Sequence, residues 1–241
     1  YPALANEIQQ PENTNARITQ TKKTLCNLSR RDNVANKDFE GNLWTWKHCK
    51  TKITMLKGKL GFTDSPHLKF LGLSVSLEDG SVFDELRNQP FTAIAPSLYC
   101  ILSGYANANP IRETIQLVSF RQLPGGHAYY NAFLRRAVNP IQKIFGSKPD
   151  RLIETAKLLG GSKLEYGDYS VKIYSLPLVP ITVILWIGNR EFEASANILF
   201  DSSVSNYLST EQVAMLSELT SVRLKHANEV LETQKQFNNS A

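Results

Sequence analysis

The runs Tyr169-Ser170-Val171-Lys172-Ile173-Tyr174-Ser175 and Ile181-Thr182-Val183-Ile184-Leu185-Trp186-Ile187 decide the fold class. In the first, Tyr169, Val171 and Ile173 alternate with Ser170, Lys172 and Tyr174, the period of two that a β-strand imposes. The second follows Pro177 and Pro180 and is rich in the β-branched residues that suit a pleated surface. Gly188-Asn189 supplies a turn, and residues 192–200 can return antiparallel, which makes a hairpin.

Downstream, Ser209 with Gln212 three residues later forms a capping-box pattern. It opens a long C-terminal helix through Val213, Leu216, Leu219, Leu224, Ala227 and Leu231. Upstream, Pro149 and Asp150 suit the first turn of a helix that ends at Gly160-Gly161. A helix over residues 127–145 carries Tyr130, Phe133, Ala137 and Ile141, with Pro140 marking a kink or a break. Another, within residues 91–106, places Leu98, Ile101, Leu102 and Tyr105 on one stripe. The front of the chain reads mainly as strand. Trp44, Trp46 and His48 alternate with Leu43, Thr45, Lys47 and Cys49, Ile53-Thr54-Met55-Leu56 is a second strand, and Leu71, Leu73, Val75 and Leu77 form a third, ending in the turn Glu78-Asp79-Gly80. Residues 21–36 can hold a short helix. Residues 1–20 are polar, without an apolar period, and read as a flexible arm before a single domain over residues 21–241. Strands, then helices, then strands, with few βαβ alternations, indicate an α+β fold in which antiparallel sheet elements pack with helices.

Composition agrees. Of 241 residues, 42% are hydrophobic and 20% charged, as in an ordinary folded domain. The longest apolar run, residues 176–187, is broken by prolines and is too short to span a bilayer. Ala3-Leu4-Ala5 has the form of a signal-peptidase site but lacks an apolar region before it, so a cytoplasmic location is the expectation over secretion. Cys26, Cys49 and Cys100 are too scattered for a disulfide framework or a thiolate metal site, and no histidine stands at metal-ligand spacing from another ligand. No metal and no cofactor is therefore expected. Residues 1–60 hold 11 Lys/Arg against 5 Asp/Glu, which concentrates the +5 net charge in the N-terminal quarter near Trp44 and Trp46. A nucleic-acid surface there is one alternative, although charge runs are usually solvated faces.

Several residues invite a functional reading. Arg121 follows an apolar segment and precedes Pro124-Gly125-Gly126, where a guanidinium can clamp a carboxylate or phosphate, or else form an ion pair with Asp168 or Asp201. His127 begins a helix, beside backbone N–H groups that favour anions. Trp186, Glu191 and Asp201 belong to the hairpin; Trp186 is expected in the core, and Asp201 before Ser202-Ser203 is equally a turn residue. No serine or cysteine has a recognisable activating neighbour, so no catalytic residue is assigned.

The segments Ser119-Phe120-Arg121-Gln122-Leu123-Pro124-Gly125-Gly126, Gly167-Asp168, Pro177-Leu178-Val179-Pro180, Leu185-Trp186, Glu191-Phe192, Leu199-Phe200-Asp201 and Tyr207-Leu208-Ser209-Thr210-Glu211 carry a resemblance. In order and spacing the chain resembles the family known as domain of unknown function 3786, found in bacteria and archaea, many of them anaerobes. The resemblance covers residues 40–225 and is weaker before residue 95. Some family members join this domain to a cysteine-rich iron–sulfur segment, which implies a role near anaerobic redox or cofactor metabolism. Three dispersed cysteines cannot replace four clustered thiolates, so an iron–sulfur role would need a partner protein. Where the family usually has an acidic residue in the hairpin turn, this chain has Asn189, which weakens any acid–base role centred there. The reading that results is a binding or accessory domain for a small anionic ligand, a cofactor or a partner protein, using Arg121, His127 and the Trp186 hairpin. The alternative is an enzyme whose acid–base groups are Asp168, Glu191 and Asp201. Convergence of those carboxylates in one pocket separates the two.

Overall fold

A computed structural model describes residues 43–239. The arm assigned to residues 1–20, the helix read over residues 21–36 and Cys26 lie outside the described residues. The fold is α+β, with two antiparallel sheets, packed helices and a long C-terminal helix.

The first element corrects the reading of the front segment. Residues Trp46–Thr54 form helix α1, where two strands were expected over residues 43–56. Cys49, Ile53 and Leu56 are buried and fall at i, i+4 and i+7, so the apolar stripe has helical period. The alternation of Trp44, Trp46 and His48 has no such burial behind it. Trp46 packs instead over Gly80, where a Cβ would sit 2.4 Å from the ring.

The first sheet follows, with strands β1 (His67–Phe70), β2 (Leu73–Ser76), β3 (Val82–Asp84) and β4 (Gln89–Pro90) in sequential order. Between β1 and β2 the chain reverses through Leu71 and Gly72, both at positive φ (50° and 66°), the conformation that matches the twist of paired strands. Helix α2 (Ala95–Tyr105) is the one read from its apolar stripe.

Strand β5 (Leu117–Ser119) leads through a single 3₁₀ turn into helix α3 (Gly126–Phe133). Pro140 does not break the helix beyond it. Leu134–Val138 widens into a π-turn and continues as α4 (Asn139–Phe145), which accommodates the missing proline N–H. Helix α5 (Asp150–Leu158) ends at Gly160, with φ 75°.

The second sheet has order β5-β9-β8-β7-β6, with β6 (Ser162–Leu164), β7 (Tyr169–Leu176), β8 (Val179–Trp186) and β9 (Ser195–Asp201). Pro180 sits in a central strand with no N–H to give, and the register shifts between Tyr174 and Leu176 opposite it.

A short helix α6 (Val204–Tyr207) precedes α7 (Thr210–Asn239). The capping box at its start is present: the Ser209 N–H donates to Gln212 Oε1 at 3.0 Å, and the Gln212 N–H to Ser209 Oγ at 3.3 Å. Residues 215–221 of α7 are all buried, so the helix is enclosed on every side. Its hydroxyl residues there are bonded internally: Ser217 donates to the Val213 carbonyl, Ser221 to the Ala137 carbonyl, and Thr220 meets Ser175. No helix among the described residues is long and apolar enough to cross a membrane.

Candidate functional site

Arg121 lies in the 3₁₀ turn after β5, exposed, with its guanidinium carbon 3.9 Å from the centroid of the Tyr130 ring. Among the described residues no ion pair joins it to Asp168 or Asp201. Gly125 takes φ 71° to start α3, and a Cβ on Gly126 would lie 1.9 Å from the Phe120 carbonyl oxygen. This close approach folds the turn back on itself. His127 follows in the first turn of α3, exposed, so it flanks the same turn as Arg121. The Thr210 hydroxyl donates to the Pro124 carbonyl and ties the turn to the start of α7.

Trp186 is 40% exposed rather than in the core. It is the last residue of β8, where the sheet ends, and its indole lies over Gly167, 3.2 Å from the place a Cβ would take. Asp168 holds this end together. Its N–H donates to the Leu185 carbonyl, and its carboxylate accepts the Ile187 N–H at 2.8 Å. Asn189 Oδ1 accepts from the N–H groups of Glu191 and Phe192, so Asn189 serves as the loop's backbone staple. Glu191 is exposed on that loop, among Tyr166, Ile187 and Phe192, which are 48%, 51% and 69% exposed.

Asp201 ends β9, six residues beyond Ser195, which pairs with Trp186. That is about 20 Å of strand away from Asp168 and Glu191. Its carboxylate is buried and accepts from the Thr114 N–H and hydroxyl and from the Ser203 and Ile115 N–H groups, at 2.7–3.1 Å. Burial opposes its ionisation, but the donors from Ser203 and Thr114 outweigh it and hold the carboxyl at about 2. The clamp also holds Ile115 at φ 64°, a conformation unusual for a β-branched residue. The three carboxylates of the enzyme alternative therefore do not converge.

A buried ionic cluster has no counterpart among the sequence motifs. Arg223 of α7, fully buried, forms a bidentate pair with Asp84 of β3 at 2.6 and 2.7 Å, and donates to the Leu71 and Gly72 carbonyls of the β1–β2 turn. Arg87 Nε adds a third contact to Asp84. Burial alone would raise Asp84, but the bonds and charge of Arg223 and the bonds of Arg87 bring it down to about 2. His226, one turn along α7, is pushed down to about 4 by burial and by the charges of Arg87 and Arg223, so it stays neutral. Asp84 and Arg223 are 139 residues apart, and no local pattern links them.

Elsewhere, the lysines Lys47, Lys50 and Lys52 are exposed along α1. Cys49 and Cys100 are buried free thiols, both raised by burial, Cys100 to about 12. Among the described residues no three His, Cys, Asp or Glu side chains are grouped where they could hold a metal ion.

The family model described as Domain of unknown function (DUF3786) matches residues 60–223, more than half of the chain. That range runs from the loop before β1 to the Arg223 position and contains every residue singled out above on β5, α3 and the hairpin. Neither a curated protein nor a solved structure matches.

Proposed function

The chain belongs to the family described as Domain of unknown function (DUF3786), whose description assigns no activity, and from that premise we propose that it is a binding domain that docks a partner protein on the exposed end of the β8–β9 hairpin. The observation that carries this reading is the gathering of Tyr166, Trp186, Ile187 and Phe192, all exposed, at one end of the second sheet. Single exposed apolar residues are ordinary, but aromatic side chains grouped on a surface favour contact with another protein. Asp168 and Asn189 hold the backbone beneath them by the bonds described above, so the group is presented on a fixed frame. Arg190, Glu191 and Glu193 supply the polar rim. Covering the exposed part of Phe192 and Ile187, 69% and 51% of each, contributes about 1–2 kcal/mol each.

A small anionic ligand at Arg121 and His127 is the second reading. It is supported by a guanidinium preordered on Tyr130 that no carboxylate among the described residues engages. We also propose a reducing, cytoplasmic setting, which the buried free thiols Cys49 and Cys100 support.

The test compares native purification of the wild-type chain with the Ile187→Ser/Phe192→Ser variant. Both positions are exposed, so the melting temperature is expected to hold while a protein retained by the wild type is lost from the variant. Equal retention by both, or retention of no protein by either, refutes the docking role.

A further inference from the structure

The first sheet turns one face inward, and its outward face carries a shallow, open hollow. Pairing of His67 with Ser76, Lys69 with Ser74 and Ser74 with Phe83 puts these side chains on one face. The middle strand offers only serines there, while its neighbours carry His67, Lys69 and Phe83. The short residues between long ones leave a hollow of about 460 Å³, floored by Ser74, Ser76 and Ser81 and walled by His67, Phe83, Glu85 and Asn88.

Three polar groups of this lining are unspent. Ser74 is only 7% exposed, and its hydroxyl has no hydrogen-bond partner among the described residues; nor have the His67 ring and the Asn88 amide. By contrast, the Ser76 hydroxyl accepts from Glu78 and the Ser81 hydroxyl donates to Asp79. Glu85 is paired with Lys69 at 2.7 Å, so the hollow presents no uncompensated charge. The wall over residues 85–88 is fixed from beneath, because the Asp84 carboxylate accepts the Leu86 and Arg87 N–H groups and is itself gripped by Arg223.

We propose that this hollow binds a neutral polyhydroxylated molecule, a sugar or a polyol, with Ser74, His67 and Asn88 exchanging hydrogen bonds with its hydroxyls and Phe83 covering a C–H face. The volume is in the range of small-molecule sites. A ligand that donates and accepts around its whole rim satisfies hydroxyl, imidazole and amide together. An anion finds no free cation here, and an apolar ligand leaves the Ser74 hydroxyl buried without a partner. This site is separate from the hairpin end and goes beyond its docking role.

The test is NMR titration of the whole chain, followed at the amides of residues 67, 74 and 88. The probes are glucose, galactose, N-acetylglucosamine and maltose, with inorganic phosphate and citrate as anionic controls. Saturable shifts with at least one sugar are expected, weakened at least about tenfold by Ser74→Val and by Phe83→Ala, and unchanged by Phe192→Ser. Asn88→Gly, at φ 53°, keeps a backbone that glycine accepts and tests the amide if Ser74→Val fails to fold. Absence of saturable sugar shifts, equal affinity in all the variants, or tighter binding of phosphate or citrate than of any sugar overturns the proposal.

Discussion

Replacing Arg223 with Met leaves the Asp84 carboxylate buried, with Arg87 as its remaining cation. Both partners of the pair have fully buried side chains, so water cannot take over from the lost guanidinium. Breaking such a pair costs about 3–5 kcal/mol, and the Leu71 carbonyl loses the Arg223 donor as well, while that of Gly72 keeps the Glu85 N–H. For a domain of this size the loss corresponds to a drop of about 10–15 °C in melting temperature. The double variant Asp84→Leu/Arg223→Met removes the stranded charge and is expected to regain about 2 kcal/mol or more, because an apolar replacement of a whole buried pair is far less costly than removal of one partner. Urea denaturation of the four corners of this cycle measures both effects. The pH dependence adds a signature. In the wild type the Asp84 carboxyl is held below its unfolded value, so its contribution is complete above pH 3.8 and is lost as pH falls through about 2. Without Arg223, burial favours the protonated carboxyl, so the deficit of the single variant narrows as the pH is lowered from neutrality. A variant within about 1 kcal/mol of the wild type, or a double variant no better than the single, refutes a structural role for the pair. Lys69→Ala, which breaks an exposed pair, is the control and should change stability by no more than about 0.5 kcal/mol.

Glu218 is 5% exposed, and burial, partly offset by the charge of Arg136, pushes its carboxyl up to about 7. Its folded value lies above its unfolded one, so stability is highest below pH 4.5 and about 3 kcal/mol is lost as pH rises through 7; Glu218→Gln should flatten that slope in a pH series of denaturation curves. His226 acts in the opposite sense: held down at about 4, it makes the fold lose stability as pH falls from 6.5 through 4, and His226→Gln should remove this loss. Gly125→Ala meets no atom within 4 Å and should cost about 1 kcal/mol through its positive φ alone. Gly126→Ala must also displace the Phe120 carbonyl and should cost about 1–3 kcal/mol more; equal effects in chemical denaturation would show that the turn is not closely packed. Asp201→Ala should destabilise the fold by about 2–3 kcal/mol through loss of the Thr114–Ile115 clamp, whereas a melting temperature equal to the wild type's would reopen a functional role for this carboxylate.

What was legible in the sequence follows from the range over which each signal acts. The hairpin and α7 announce themselves locally, through the alternation at Tyr169–Ile173, the β-branched run at Ile181–Val183 and the Ser209–Gln212 capping pair. Alternation misled at Trp44, Trp46 and His48, because three residues can satisfy a period of two by accident while Cys49, Ile53 and Leu56 carry the helical one. Residue type alone points Trp186 to the core, yet its exposure depends on where β8 stops, and Gly167 is the signal that an indole can lie there. The ionic cluster was out of reach for a stronger reason. In sequence Arg223 looks like an ordinary solvated residue on a helix face, and only the packing of the first sheet against α7 buries it beside Asp84. The same packing holds the wall of the serine-floored hollow. Periodicity can tell which face of a strand seeks the core, but what an outward face can bind depends on its cross-strand neighbours. Ser74 acquires meaning only from the register that sets it between Lys69 and Phe83.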